Sequence, residues 1–317
     1  MSLDADLIVE RRRTRRKLVF WRVGALLLLA ILAVGAVVVA TGGDLGNKNR
    51  DQIARVTVSG LMVGDPDLIS MLDRIAKDDA VKGVLVAVDS PGGATTAGEI
   101  LYSALRKVSD EKPVAASVGT LAASAGYMAA LAADRIFAHR TSLAGSIGVF
   151  IEFGNVAKLL DNLGVEVDAV KSAPLKGEPS MLTPEVPGVR AALASIVDDT
   201  YQWFVDVVAE RRNLPRDEAL KLADGRVFTG RQALDLKLVD EIGGEDEAVT
   251  WLKSREGVGK NLPVVDWTPE GGYDGFGFLT RAGTFVLGRL GIDMSAFWGA
   301  KPALDGLVSL WHPQVLD

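Results

Sequence analysis

From Val23 to Ala40 the chain runs eighteen residues without a charged or strongly polar side chain. Shortly before this stretch, five arginines and a lysine crowd into Arg11-Arg12-Arg13-Thr14-Arg15-Arg16-Lys17. As a helix the apolar run reaches about 27 Å, close to the hydrocarbon thickness of a bilayer. Leu18 to Trp21 can extend it, with Arg22 reaching back to the headgroups. The run has no polar face, which distinguishes it from a surface-packed core helix. A cleaved leader ending near Val38-Val39-Ala40 is the other reading, but both the run and the basic segment are longer than such leaders carry. A retained signal-anchor over residues 18–40 is therefore expected, with residues 1–17 as a cytoplasmic basic tail. The rest of the chain is then expected outside the cytoplasm of a single-pass inner or plasma membrane protein.

The chain beyond this span is long enough for a sizeable core: 317 residues in all, 48% apolar and 24% charged. There is no cysteine, which excludes disulfides, thiolate metal sites and a cysteine nucleophile. With only His139 and His312 available, no metal centre or cofactor is expected. A net charge of −6 argues against nucleic acid as a partner. After a Gly/Asn-rich linker at residues 41–52, strand and helix patterns alternate. Strands are expected at Arg55–Val58, Val81–Val88, Pro113–Val118, Arg135–Ala138, Ile147–Phe150 and Val165–Val170. Helices are expected at Asp67–Lys77, Ala97–Val108, Ala125–Ala133, Val189–Arg212 and Arg216–Ala223. A final unit, Val227–Trp251, holds a helix that begins at Gly230 and a short strand near Val239. Lys171 to Gly188 carries four prolines and mixed charge and reads as an exposed loop. No fold is assigned from Asn261 onward. The alternation specifies an α/β protein with mainly parallel strands.

Three segments could build an acyl-transfer site. Asp89-Ser90-Pro91-Gly92-Gly93 follows an apolar strand, and its glycines would let backbone N–H groups face a developing oxyanion. An ordinary strand-to-helix turn would look the same, and a phosphate loop would need a Gly-Lys-Ser/Thr that is missing. Ser124 stands where a strand gives way to a helix of small residues. It suits a nucleophile, and equally an N-cap. Lys171-Ser172-Ala173-Pro174-Leu175-Lys176 offers a base, since a lysine can accept a proton where burial or nearby positive charge favours its neutral form. A solvated surface charge is the plain alternative for Lys176. His139, beside Arg140 at a strand end, reads as structural.

Taken in order, Asp89–Gly93, Ala123-Ser124-Ala125-Gly126-Tyr127, Gly145-Ser146-Ile147-Gly148-Val149, Lys171-Ser172 and Lys176 resemble the signal peptide peptidase A family. Ala223-Asp224-Gly225-Arg226-Val227-Phe228-Thr229-Gly230 and Leu238-Val239-Asp240 extend the likeness, which covers Ile53 to Trp251. The resemblance implies Ser124 as nucleophile, Lys176 as general base and Ser146 as the serine that hydrogen-bonds the lysine. It also implies oxyanion donors among the backbone N–H groups of Gly92, Gly93 and Ala125. The chain departs from the family pattern at Ala125 and Ala173, where glycine is usual.

The same resemblance implies a Clp protease/crotonase-like spiral of ββα units preceded by one transmembrane helix. The peptidase domain would occupy residues 53–255, with a C-terminal extension of unassigned role at 256–317. It implies a ring-shaped homo-oligomer beside the bilayer, acting as a serine endopeptidase on remnant signal peptides or other apolar peptides. An inactive scaffold on the same fold and a crotonase-like acyl-CoA enzyme are the competing readings. The anchor opposes the latter, because coenzyme A is cytoplasmic.

Overall fold

A computed structural model describes residues 17, 19–27, 29, 50–269 and 308–310. The chain divides into two compact units, residues 1–50 and 51–317. In the first, residues 17, 19–27 and 29 are helical. The rest of the expected 18–40 span lies outside the described residues, and among those described no helix is long and apolar enough to cross a membrane.

In the second unit the strand-helix alternation expected from the sequence becomes one mixed sheet. Its elements begin β1 (Gln52–Met62), α1 (Pro66–Lys77), β2 (Val81–Ala94), α2 (Thr95–Glu111), β3 (Val114–Ala123) and α3 (Ala125–Leu131). They continue with β4 (Arg135–Ala138), β5 (Leu143–Gly145), α4 (Ala157–Asn162), α5 (Val189–Arg212), α6 (Arg216–Leu222), β6 (Val227–Thr229) and α7 (Gly230–Asp235). The last are β7 (Glu241–Ile242), α8 (Glu245–Leu252), β8 (Val264–Trp267) and β9 (Val308–Leu310). The strand order is β6-β5-β3-β2-β1-β8, with β4 between β3 and β7 and with β9 on β2. Parallel pairing joins β1 to β2 and β8, β2 to β3, β3 to β4 and β5, and β4 to β7. The pairs β2–β9 and β5–β6 are antiparallel.

The central strands are covered on both faces, so they read as unbroken apolar runs rather than alternating ones. Val84, Leu85 and Val86 of β2 are all fully buried. One face packs with α1, α2, α3 and α5 through Met71, Leu105, Met128 and Phe204. The other holds Ile53, Leu85, Ala115 and Phe137 against Ala248 and Leu252 of α8.

Three expectations need correction. Val165–Val170 is not a strand: these residues are exposed and carry no sheet pairing, because a β-branched run without a neighbouring edge has nothing to pair with. Ile147–Phe150 is not one either; the strand lies earlier, at Leu143–Gly145, and left-handed backbone at Gly145 and Ser146 ends it. The short strand expected near Val239 lies at Glu241–Ile242. Val264–Trp267, in the stretch to which no fold was assigned, pairs in parallel with Ile53–Val56.

Candidate active site

Ser124 occupies the single residue between β3 and α3, with φ 59° and ψ −121°. A side chain held in such backbone costs about 1–3 kcal/mol and persists only where the surroundings enforce it. They do so from both sides. The Ser124 N–H donates to the Gly145 carbonyl at 2.8 Å, while its own carbonyl accepts from Tyr127 and Met128 at 2.9 and 3.0 Å. The Ser124 side chain makes no cap hydrogen bond to the first turn of α3, which counts against the N-cap reading. A serine on a sharp, strained strand-to-helix turn is the geometry that presents a nucleophilic hydroxyl.

Every residue of α3 is buried. Its small side chains allow a close approach, and Gly126 lies directly on the Ser90 carbonyl. Tyr127 is wholly enclosed and donates its hydroxyl to the Leu238 carbonyl at 2.6 Å; burial pushes this phenol above its ordinary range. At the other end of α3, Arg211 donates to the Leu131 and Ala133 carbonyls at 2.9 and 3.0 Å, and Arg106 to Ala132 at 3.0 Å. These two arginines satisfy carbonyls that a buried helix end would otherwise leave unpaired. The helix behind Ser124 is thus fixed at both ends.

Gly92 and Gly93 lie in the last part of β2, beyond a register shift between Val88 and Ser90. Ser90 locks the bend: its hydroxyl donates to the Gly60 carbonyl at 2.7 Å and accepts the Gly92 N–H at 3.1 Å. Gly92 sits at φ 99°, and a Cβ on Gly93 would meet the Met62 carbonyl oxygen at 2.0 Å, so both positions demand glycine. Ala125 opens α3, where the first N–H groups have no partner within a helix.

Ser146 is buried at φ 50°, and its N–H donates to the Arg226 carbonyl at 2.8 Å. Gly145 pairs with Ala123 on one side and with Val227 on the other. The segment Gly145–Ser146 therefore links the Ser124 turn to the stretch Asp224–Gly230. One chain brings Gly92, Gly93, Ser124, Ala125 and Ser146 to one end of the sheet.

Lys176 lies elsewhere, exposed on the loop after Val170, its N–H donated to the Ala173 carbonyl at 3.1 Å. From Gly148 to Gly188 no residue is buried. This arm is nevertheless ordered by its own polar contacts. Asn155 Nδ2 donates to the Ser180 and Thr183 carbonyls at 3.0 and 2.8 Å, and Lys171 Nζ meets Glu178 at 2.5 Å. That hydrogen bond, with a second from the Ser180 N–H, holds the Glu178 carboxyl below the usual carboxylate range.

Beside Gly92 and Gly93, a cavity of about 740 Å³ is lined by Leu61, Met62, Val63, Leu68, Ile100 and Leu101. It adjoins the strand edge through Leu61 and Met62, which pair with Gly92 and Gly93. Sequence reasoning assigned no role to Ser90, Gly126 or Tyr127, although all three fall inside the motifs around Gly92 and Ser124. A glycine and an aromatic shortly after the serine were the available signal of a close approach and an anchored helix. His139 donates its N–H to Ser142 Oγ at 3.1 Å, and its ring lies against Gly244.

The sequence model of peptidase family S49 matches residues 106–259, a span that includes Ser124, Ser146 and Lys176. A provisionally assigned protease of Synechocystis sp. is 35% identical over 218 residues, which are 68% of this chain and 79% of that one. A provisionally assigned signal peptide peptidase SppA of Enterococcus faecium is 35% identical over 60% of this chain and 56% of its own. The chloroplastic serine protease SPPA of Arabidopsis thaliana is 32% identical over 68% of this chain but 34% of its own length. The chain thus spans most of the cyanobacterial relative and a third to a half of the other two.

Proposed function

Because the chain belongs to peptidase family S49 and is a serine peptidase of the signal peptide peptidase A kind, we propose that Ser124 is its nucleophile and Lys176 its general base. The observation that carries this reading is the strained, buried turn at Ser124, set beside the glycine-bearing end of β2. Lys176 takes the hydroxyl proton as Ser124 Oγ attacks the scissile carbonyl. The N–H groups of Gly93 and Ala125 receive the oxyanion, with Gly92 shaping the loop. The peptide C–N bond then breaks and the lysine returns its proton to the leaving amine. Water, deprotonated by the same lysine, hydrolyses the acyl-serine. Ser146 positions the lysine by hydrogen bonding.

A lysine acts as a base when it is desolvated. In a single chain Lys176 is exposed, on an arm that also exposes Leu159, Leu163, Val170, Leu175, Met181 and Leu182. An apolar arm of this extent calls for a covering surface. A second copy of the chain in a ring would supply it and would bring the lysine of one subunit to the Ser124 of the next. The parallel β-α succession supports a Clp protease/crotonase-like spiral of ββα units. The apolar cavity beside Gly93 suits apolar side chains of an extended peptide, as in signal-peptide remnants. The basic leader and the apolar run after it support anchoring in the inner or plasma membrane, with residues 1–17 cytoplasmic and the catalytic unit outside.

The test is active-site labelling. A fluorophosphonate should modify the intact protein at Ser124, located by peptide mass mapping, and should spare Ser124→Ala. Labelling at another serine, or none in a protein that cleaves peptides, would overturn the assignment.

A further inference from the structure

Strand β9 pairs antiparallel with the end of β2, Leu310 opposite Gly92, Ser309 opposite Gly93 and Val308 opposite Ala94. The edge it uses is determined by its neighbours. On one side of β2, Leu61 and Met62 of β1 already pair with Gly92 and Gly93. On the other, β3 accompanies β2 as far as Ala122 opposite Ser90 and is then diverted by Ser124 into α3. The backbone edge of Gly92–Ala94 is open where β3 leaves, and β9 fills that place. Its direction is set by the register. As β9 runs from Val308 to Leu310 it passes from the level of Ala94 to that of Gly92, so its Leu310 end faces the end of β3 and Ser124.

An extended peptide added to an exposed edge is held by backbone hydrogen bonds and needs no particular sequence. We propose that the edge Gly92–Ala94 is the peptide-binding edge of the serine site, and that the chain's own segment around residues 308–310 is a ligand of it. The segment lies where a substrate strand would lie, antiparallel to β2 and ending at the nucleophile turn. It competes with substrate. The proposal rests on the reading of Ser124 as nucleophile and adds the direction of the bound peptide and an internal competitor for it.

The experiment compares the full chain with one ending at Asp305, using a fluorogenic extended apolar peptide as reporter. Removal of the competitor should lower the apparent KM about tenfold and leave kcat unchanged, because occupancy reduces apparent affinity by the fraction of open sites. Separately, a fluorescent peptide of residues 305–317 should bind the shortened chain carrying Ser124→Ala. The same peptide N-methylated at 308, 309 and 310 should bind at least about tenfold more weakly, since it cannot pair along the edge. An unchanged KM together with no binding of the free peptide overturns the proposal. So does equal binding of the methylated peptide. A shortened chain that melts at a lower temperature with no gain in affinity would make β9 a structural strand, and the proposal falls. If neither chain cleaves any reporter, the nucleophile assignment fails. The binding arm, which requires no chemistry, still decides for or against the peptide edge.

Discussion

A Cβ placed on Gly126 would stand 2.6 Å from the carbonyl oxygen of Ser90. The helix that carries the nucleophile therefore touches, backbone against strand, the very bend that presents Gly92 and Gly93. Any side chain at 126 must push these two halves of the site apart. Gly126→Ala should destabilise the protein by about 1–3 kcal/mol, the usual cost of overpacking a close contact. It should lower kcat further than this loss of stability explains, because donors and nucleophile separate. Denaturant unfolding and peptide cleavage, measured on the same preparation, check both effects. A neutral variant would show that the approach is not required.

Strain at Ser124 can be measured directly. Ser124→Ala and Ser124→Gly should both abolish cleavage, since each removes the hydroxyl. Glycine, however, tolerates φ 59°, and alanine does not. Ser124→Gly should therefore be more stable than Ser124→Ala by about 1 kcal/mol, after the entropy glycine gains in the unfolded chain is deducted. Equal melting temperatures would mean the turn carries no strain.

Lys176→Ala should remove nearly all activity while leaving the fold intact, because nucleophile and base act as one unit. Lys176→Arg should not restore it, as a guanidinium does not release its proton near neutral pH. His139→Ala should retain activity. Loss of activity in His139→Ala with retention in Lys176→Ala would move the base to the histidine.

Mixing distinguishes a shared site from a self-contained one. Ser124→Ala and Lys176→Ala chains, combined equally under conditions of subunit exchange, should regain about a quarter of wild-type activity if each site draws on two subunits. Background activity in verified mixed rings would confine the dyad to one chain.

The arm should respond to acid. Glu178 is held below the ordinary carboxylate range, first by the Lys171 hydrogen bond and then by the Ser180 N–H. A carboxyl lowered on folding contributes stability above its unfolded value, and that contribution is lost as pH falls through the folded value. Amide hydrogen exchange over residues 171–180 should be slow near neutral pH and accelerate, relative to base-catalysed expectation, as pH drops below the usual carboxylate range. Glu178→Gln should flatten this dependence. An unchanged profile in that variant would remove the carboxylate as its cause.

Much of the fold was legible in the sequence because its signals are local. The apolar run Val81–Val88, Asp65 capping α1 through its carboxylate, and the 24-residue helix Val189–Arg212 each arise from the residues that form them. Ser124, Gly92 and Gly93 were legible in the same way, since a bend needing positive φ or close approach leaves glycine in the chain. The segment Val165–Val170 shows the limit. Its residues favour a strand as strongly as those of β1, yet only β1 has edges on both sides to pair with.

By itself, then, the sequence determined which stretches are helical, which are buried strands, and which residue types could perform acyl transfer. Tertiary structure alone decided that β3 should leave β2 at Ser90 and turn through a strained serine, and that Val264–Trp267 should close the sheet beside β1. It also decided that Val308–Leu310 should lie on the edge β3 vacates, and that Lys176 should stand apart on an exposed arm. The physical reason is the same in each case. Propensity and pattern act over a few neighbouring residues, whereas an open strand edge, a close backbone approach or an uncovered apolar arm exists only once distant segments have been brought together.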